Sequence, residues 1–536
     1  MRTRRAHPSI LKASSGAGKL LGTGTLLASF VCAGALVALA SACSGGESGA
    51  GGSGAGTGGA GAAGGGQGGD GLQDFVTSAS SSSSSSSSGT GGQNPGPMCD
   101  PPNPNGGVTA FAAAYGDAQT QSGVSVSTDK TGNILLAGAL QGTMNLGGTM
   151  LTSGGKEDAF VAKLNSAGQV IWAKRFGDGQ NQSATGIGAD AEGNVYVTGI
   201  FIGTVNFGGS NLTSDTNFFQ DVFLVKFAPD GSHVWSKKFG DSNIQYARAL
   251  AVDGVGNVVI AGYFQQQVDF GGGVLTAAGQ AFDAFVAKFN ATGQHLWSKK
   301  YGNDADQSAK SLAVDGAGNV YVAGEASGAI DFGAGLVMAQ GNPSAFVAKL
   351  DSQGAPLWAK LSSGAGKASA NAVAVSPSGA VAVAGQFQGT FDLGGKPMTN
   401  IDVDDAFVSV LTSSGAQTYT RAFGDPTFQR ADGVAFAPNG DVLLAGAFTG
   451  SIDLGGGASP SADGFDMFLG RLAAKDGCLV WGRSYGGPLV QSPQSLVFDP
   501  VSGNVILTGS FGGTVDFGLG PLTAAGDDAF LFAVKP

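Results

Sequence analysis

Gly256-Asn257-Val258-Val259-Ile260-Ala261-Gly262 is a short run of β-branched and small apolar residues closed at both ends by glycine, and the chain carries seven versions of it. The others are Gly132-Asn-Ile-Leu-Leu-Ala-Gly138, Gly193-Asn-Val-Tyr-Val-Thr-Gly199, Gly318-Asn-Val-Tyr-Val-Ala-Gly324, Gly379-Ala-Val-Ala-Val-Ala-Gly385, Gly440-Asp-Val-Leu-Leu-Ala-Gly446 and Gly503-Asn-Val-Ile-Leu-Thr-Gly509. Their closing glycines are 61, 63, 62, 61, 61 and 63 residues apart, which makes seven copies of one unit. A fixed period is the signature of a repeat architecture.

Each unit reads as four short strands separated by turn residues. In the third, Arg248-Ala-Leu-Ala-Val-Asp253 is followed by the turn Gly254 to Asn257 and by the strand Val258 to Phe264. A Gly-rich connection leads to Ala284-Phe-Val-Ala-Lys-Phe289, and Asn290-Ala-Thr-Gly293 turns the chain into His295-Leu-Trp-Ser-Lys-Lys-Tyr301. No apolar period of 3.6 residues runs long enough for a helix. The pattern predicts an all-β fold, a seven-bladed β-propeller of four-stranded antiparallel blades over residues 107–536. The ends of the chain complement each other. The seventh unit stops at its third strand, Asp528-Ala-Phe-Leu-Phe-Ala-Val-Lys535, while Val108 to Asp117 matches a fourth strand, with Phe111 at the Trp172 position and Tyr115 at the Phe176 position. The N-terminal strand is therefore expected to complete the last blade and clasp the ring.

The units resemble the bacterial SBBP β-propeller repeat family, through segments such as Asp315-Gly-Ala-Gly-Asn-Val-Tyr-Val-Ala-Gly324 and Asp283-Ala-Phe-Val-Ala-Lys-Phe289. That resemblance implies a propeller and no particular activity. A weaker likeness is to quinoprotein blades, whose turn before a docking Trp is similar to Asn290-Ala-Thr-Gly-Gln-His-Leu-Trp297. Seven units and the lack of a vicinal Cys pair weigh against it.

Composition divides the chain further. Of 536 residues, 94 are Gly, 12% are charged and the formal net charge is −11, which excludes a coiled coil and a basic nucleic-acid binder. Residues 1–42 carry Arg2, Arg4, Arg5, Lys12 and Lys19, then an uncharged apolar run from Leu20 to Ala42, the pattern of a secretion signal. Ala40-Ser41-Ala42-Cys43 resembles the lipobox of bacterial lipoproteins, which implies diacylglycerol on Cys43. The family prefers Leu three residues before the Cys, where Ala40 stands here; ordinary signal peptidase and an uncleaved anchor are the other readings. Residues 43–98, with 20 Gly and nine consecutive Ser from Ser80 to Ser88, bury no core and read as a tether spanning about 40 Å.

Few residues carry chemistry. His233 and His295, the histidines left after the signal, sit at equivalent places on neighbouring outer strands, so neither a His metal site nor a catalytic triad is expected, and no catalytic residue or cofactor is assigned. Asp269, Asp331, Asp392, Asp453 and Asp516, with Asn145 and Asn206, recur in the Gly-rich connection; Asp158, Asp221, Asp283, Asp405, Asp466 and Asp528 precede the third strand. They lack calcium-loop spacing and read as turn formers. Gln121, Gln182, Gln245, Gln307, Gln429 and Gln491 fall six residues after each closing aromatic, with Lys367 in the remaining blade. Two readings stand: a polar collar for a ligand at the channel mouth, or a repeated tie between blades. The fourth unit departs most, with Glu325-Ala326 for an aromatic pair, Ser344 for the Asp and Leu361-Ser-Ser363 for Phe-Gly-Asp, so Glu325 and Lys367 are candidate ligand contacts beside Gln265 to Gln267, Gln386 and Gln388. Cys99 and Cys478 are left as an even pair and are expected to form a disulfide pinning the clasp, two free thiols being the alternative.

From Cys99 onward 23 basic and 36 acidic residues leave the body near −13, which disfavours nucleic acid and anionic headgroups. The expected protein is a monomeric, lipid-anchored binding or interaction scaffold of the bacterial cell envelope, in contact with the membrane through its N-terminal lipid only and with an envelope protein or glycan as partner. The alternative is an extracytoplasmic enzyme acting on polysaccharide or another polymer at the channel mouth, which would need a close carboxylate pair near the axis.

Overall fold

A computed structural model describes residues 100–536 apart from 217, 334 and 401. The signal, Cys43, the tether and Cys99 lie outside the described residues.

The described residues form seven four-stranded antiparallel blades, the first six running in chain order from inner to outer strand. Blade 3 is typical: Gln245–Val252 inside, then Val258–Phe264, Asp283–Phe289 and His295–Tyr301 outermost. Each inner strand contacts those of its two neighbours, and the inner strand of blade 7, Gln491–Phe498, contacts that of blade 1, Gln121–Thr128. The ring is thus closed. Blade 7 is completed by the N-terminal strand, Val108–Tyr115, which pairs antiparallel with Pro521–Lys535 from Val108 opposite Lys535 to Tyr115 opposite Ala529.

The core lies between blades rather than within them. Seven apolar clusters each join two neighbouring blades, as where Tyr196 and Phe239 of blade 2 meet Phe264, Phe285 and Phe289 of blade 3. Second and third strands are therefore covered on both faces, and Val258–Phe264 and Asp283–Phe289 are buried almost throughout instead of alternating. The outer strands expose one side and alternate.

Two repeated devices dock each blade on the next. An outer-strand aromatic lies over the turn glycine of the following blade: Trp172 over Gly231, Trp235 over Gly293, Trp297 over Gly354, Trp358 over Gly415, Tyr419 over Gly477, Trp481 over Gly107 and Phe111 over Gly168. At Gly293 the φ is +80° and a Cβ would lie 2.8 Å from Lys237 and 3.1 Å from the Trp235 ring, so both backbone and packing require glycine. The Trp297 indole N–H also donates to the Ser352 carbonyl at 3.0 Å. Beside it runs a buried ion pair between the end of the inner strand and the third strand, Lys163–Asp129 at 2.9 Å, Lys226–Asp190 at 3.2 Å and Lys288–Asp253 at 3.0 Å, which in blade 6 becomes Arg471–Asp441 at 2.8 Å with the aspartate just before the second strand. Blade 5 has Ser376 and Val410 at these two places, so charge is lost from both together. A cavity of about 460 Å³ between blades 3 and 4 is lined by this same docking set, including Lys288, Trp297 and Ser352.

The Gly-rich connection holds more structure than its composition suggests. In blade 3 it folds into a hairpin, Gln267–Asp269 against Val274–Thr276, that lays Val268 and Phe270 on the blade interface with Asp269 exposed between them. The Asp269 carboxylate accepts from Gly271 and Gly273 backbone N–H groups at 2.7 and 3.1 Å, and Asp331, Asp453 and Asp516 repeat this. These carboxylates close turns.

Candidate functional site

The recurrent glutamines occupy one place in six blades, at the start of the inner strand, and none has exposed surface. Gln307 is representative. Its Nε2 donates to Asn303 Oδ1 and to the Ser327 carbonyl, both at 2.7 Å, while its Oε1 accepts from the Asn303 backbone N–H at 3.0 Å. Gln182, Gln245 and Gln429 bond in the same way to Asp178, Asp241 and Asp425, Gln121 bonds to Asp117, and Gln491 bonds to the backbone of Gly487 and Gly512. The amides are consumed by the fold, so the ligand collar is corrected to a set of ties holding the entry loop to its blade. Gln307→Ala is expected to cost about 2–3 kcal/mol, since it orphans buried donors and acceptors; the thermal unfolding midpoint checks it.

Lys367 does not share the glutamine place. Ala368, opposite Phe387 in the inner strand Gly366–Val375, occupies it, ten residues after Trp358 as Gln307 is after Trp297, because Ser362 and not Leu361 stands at the closing-aromatic place. Lys367 is half-exposed and ion-paired with Asp404 at 3.0 Å. Glu325 pairs instead with Lys310 at 2.9 Å. The structure therefore gives Glu325 and Lys367 separate partners, and the residue that joins Glu325 was missed from the sequence.

Lys310 belongs to a register that the repeat hides. Every inner strand has a bulge three residues after the glutamine place, falling between Ala247 and Ala249 in blade 3 and between Ala309 and Ser311 in blade 4. The bulged residues are Val124, Thr185, Arg248, Lys310, Asn371, Asp432 and Gln494, a different residue type in every blade. The bulge also explains the closing glycines, since it drives the second residue's carbonyl into the neighbouring strand: a Cβ on Gly262 would lie 1.8 Å from the Tyr246 oxygen.

These side chains converge on the axis. Lys310 feels the charges of Arg248 on blade 3 and Asp432 on blade 6 as well as its partner Glu325; burial, the largest effect, holds its pKa below the usual lysine range. Lys310 Nζ also donates to Ser369 Oγ of blade 5 at 2.8 Å, and Asn371 reaches the Ala431 carbonyl of blade 6 at 3.1 Å. On blades 6 and 7, Arg430 pairs with Asp432 at 2.8 Å and donates to Ser492 at 2.9 Å. On blade 3 the Arg248 guanidinium lies 4.9 Å from the Tyr246 ring and 5.6 Å from Tyr263, two rings stacked 5.3 Å apart. Blades 1 and 2 present only Ser122, Val124, Ser183 and Thr185 at the matching places. The axis is polar, charged and aromatic on one side and small on the other.

With this geometry in view, the beta-propeller repeat model of the SBBP family matches residues 171–199 and 296–331. The chain carries SBBP β-propeller repeats. Both matched segments run from an outer strand through the next inner strand, so each SBBP segment includes a bulge. An uncharacterised WD repeat-containing protein of Acanthamoeba polyphaga mimivirus is 25% identical over 228 residues, 36% of this chain and 16% of that protein. The regulatory protein FlaEY of Caulobacter vibrioides is 24% identical over 168 residues, 30% of this chain and 17% of its own length. The chain thus spans about a sixth of the curated relatives it matches. Among solved structures, quinohemoprotein alcohol dehydrogenase from Comamonas testosteroni is 11% identical with a TM-score of 0.35, covering 80% of this chain and 77% of that one. A polysaccharide lyase, an ulvan lyase, is 11% identical at a TM-score of 0.38, covering 74% and 93%.

The remaining candidates of the SBBP propeller are placed as follows. His233 and His295 each face a serine on their own strand, Ser236 and Ser298, at 3.1 Å. Among the described residues no group of three or more His, Cys, Asp or Glu side chains is placed to hold a metal ion. Cys478 is disulfide-bonded, and Cys99, the partner expected for it, lies outside the described residues. The aspartates preceding the third strands are buried; Asp283 accepts from Ala278 N–H at 3.1 Å and Lys300 at 2.7 Å. Among the described residues Asp405 has no such cation. Burial, aided by Asp425, Asp402 and Asp404 and opposed by an Asn400 hydrogen bond, pushes its pKa up to about 6. A raised carboxyl pKa contributes stability that is full below the unfolded value near 4 and lost as pH rises through about 6. Asp405→Asn should thus stabilise the protein by about 2 kcal/mol at pH 7.5 and scarcely at pH 4, measured as the difference in unfolding midpoint.

Proposed function

We propose that this SBBP-repeat propeller is a binding scaffold whose ligand-facing surface is the axial bulge register of blades 3 to 6, and that it is exported and held at the bacterial cell envelope by a lipid on Cys43. The observation that carries the binding site is the bulge register: the glutamines, docking aromatics and turn glycines recur for packing, while here each blade supplies a different side chain. An asymmetric ligand needs such asymmetry. The two axial carboxylates, Glu325 and Asp432, are each ion-paired to a cation, which favours binding over acid–base chemistry. Export rests on the basic and apolar leader and on Cys43 after Ala-Ser-Ala.

The test is a screen of arrayed glycans and envelope proteins with the mature full chain and with Lys310→Ala/Asp432→Ala. A ligand whose binding is lost in the double variant supports the reading, and binding that survives it discards the axial site. Mass spectrometry of the mature N-terminus is expected to find diacylated Cys43; an unmodified Cys43 or an intact leader would sink the lipid anchor.

A further inference from the structure

We propose that the axial site takes a carboxylated sugar, a uronate unit of a glycan, with the Arg248 guanidinium receiving the carboxylate; this rests on the axial reading of the function given above. Three cations line the axis on blades 3, 4 and 6, and two of them are spent. Lys310 is paired with Glu325 and Arg430 with Asp432. Arg248 makes no ion pair among the described residues, and its Nε is buried without a hydrogen-bond acceptor. On the adjacent inner strand of blade 4 the Ser308 hydroxyl is likewise buried without a partner. Two unmet polar atoms on neighbouring inner strands are a standing cost, which an incoming acceptor relieves.

The chemistry of these groups selects the ligand. A guanidinium presents donors in a planar fork that matches a carboxylate two bonds at a time. Here the fork is preorganised, because the stacked pair Tyr246 and Tyr263, inclined at only 10°, lies within cation–π reach of it, and Phe282 packs edge-on to Tyr263 at 5.1 Å. The aromatic wall suits the C–H face of a sugar ring. The unpartnered Ser308 hydroxyl on blade 4 suits a ring hydroxyl, which a bare carboxylate lacks. With the body near −13 overall, no general attraction for anions substitutes for this local cation.

Titration calorimetry of the full chain with tetragalacturonate, uncharged cellotetraose and acetate tests the proposal. Tetragalacturonate is expected to bind while cellotetraose and acetate do not, Arg248→Met to weaken it more than about tenfold, and Arg248→Lys, which keeps the charge and loses the fork, to weaken it at an unchanged unfolding midpoint. Should Arg248→Met fail to fold, Arg248→Lys carries the test. No binding of tetragalacturonate by the wild type, equal binding of cellotetraose, or unchanged affinity in Arg248→Lys would each overturn the uronate assignment. If tetragalacturonate fails while another screened ligand is lost in Lys310→Ala/Asp432→Ala, the axial binding function stands and only the ligand class falls.

Discussion

A chain lacking residues 107–117 is expected to lose the cooperative unfolding of the ring, with a stability loss on the order of 5 kcal/mol or more, comparable to the whole stability of many domains. The segment removes the fourth strand of blade 7 and leaves Pro521–Lys535 as a bare edge with unpaired backbone groups. It also takes Phe111 and Tyr115 from the cluster between blades 7 and 1, and Ala112 and Ala114 from that between blades 6 and 7. Losing the two aromatics alone is worth about 3–5 kcal/mol each by analogy with core truncations. Trp481 would lose Gly107 beneath it, so the damage reaches blade 6. Scanning calorimetry should return a broadened transition at a much lower midpoint, whereas deletion of residues 44–98 should leave the midpoint unchanged.

Gly262→Ala is the second large effect. Its methyl would sit 1.8 Å from the Tyr246 carbonyl and 3.0 Å from Ala247 Cα, both on the bulge of the same blade, where neither strand can withdraw without breaking the ladder. A cost of about 3 kcal/mol is expected in denaturant unfolding. The strain falls on Tyr246 and its neighbour Arg248, so ligand affinity should drop with stability. Gly254→Ala serves as the control, since nothing lies within 4 Å of its Cβ, and it should change stability by under about 0.5 kcal/mol.

Repetition made the architecture legible. Seven closing glycines set the period, and the complementary ends, Asp528 to Lys535 and Val108 to Tyr115, locate the clasp. What they concealed was the reason for the glycine: it faces a bulge, and a bulge leaves no mark in a pattern of apolar residues. The glutamines stood out because they recur, yet recurrence proved to mark packing, with Gln307 fully buried and bonded. The residues with freedom to differ are three places further on, where Arg248 follows Gln245 and Lys310 follows Gln307. Reading that column for difference would have found the axial site. Counting from Leu361 puts Lys367 in the glutamine column, whereas strand pairing shows Ser362 at the place of the closing aromatic and so Ala368 in that column. Glu325 stands out in the sequence as an oddity of blade 4, but its partner, Lys310, lies across a bulged pairing that sequence spacing does not convey.

The central claim, that function resides in the unlike residues of the bulge register, is tested most directly by substituting that register one blade at a time. Alanine at Val124, Thr185, Arg248, Lys310, Asn371, Asp432 and Gln494 in turn, each assayed against the ligand found in the screen, should give losses confined to Arg248, Lys310, Asn371 and Asp432, with Val124→Ala and Thr185→Ala silent at comparable folded fractions. Equal losses all round the ring, or no loss in blades 3 to 6, would contradict it.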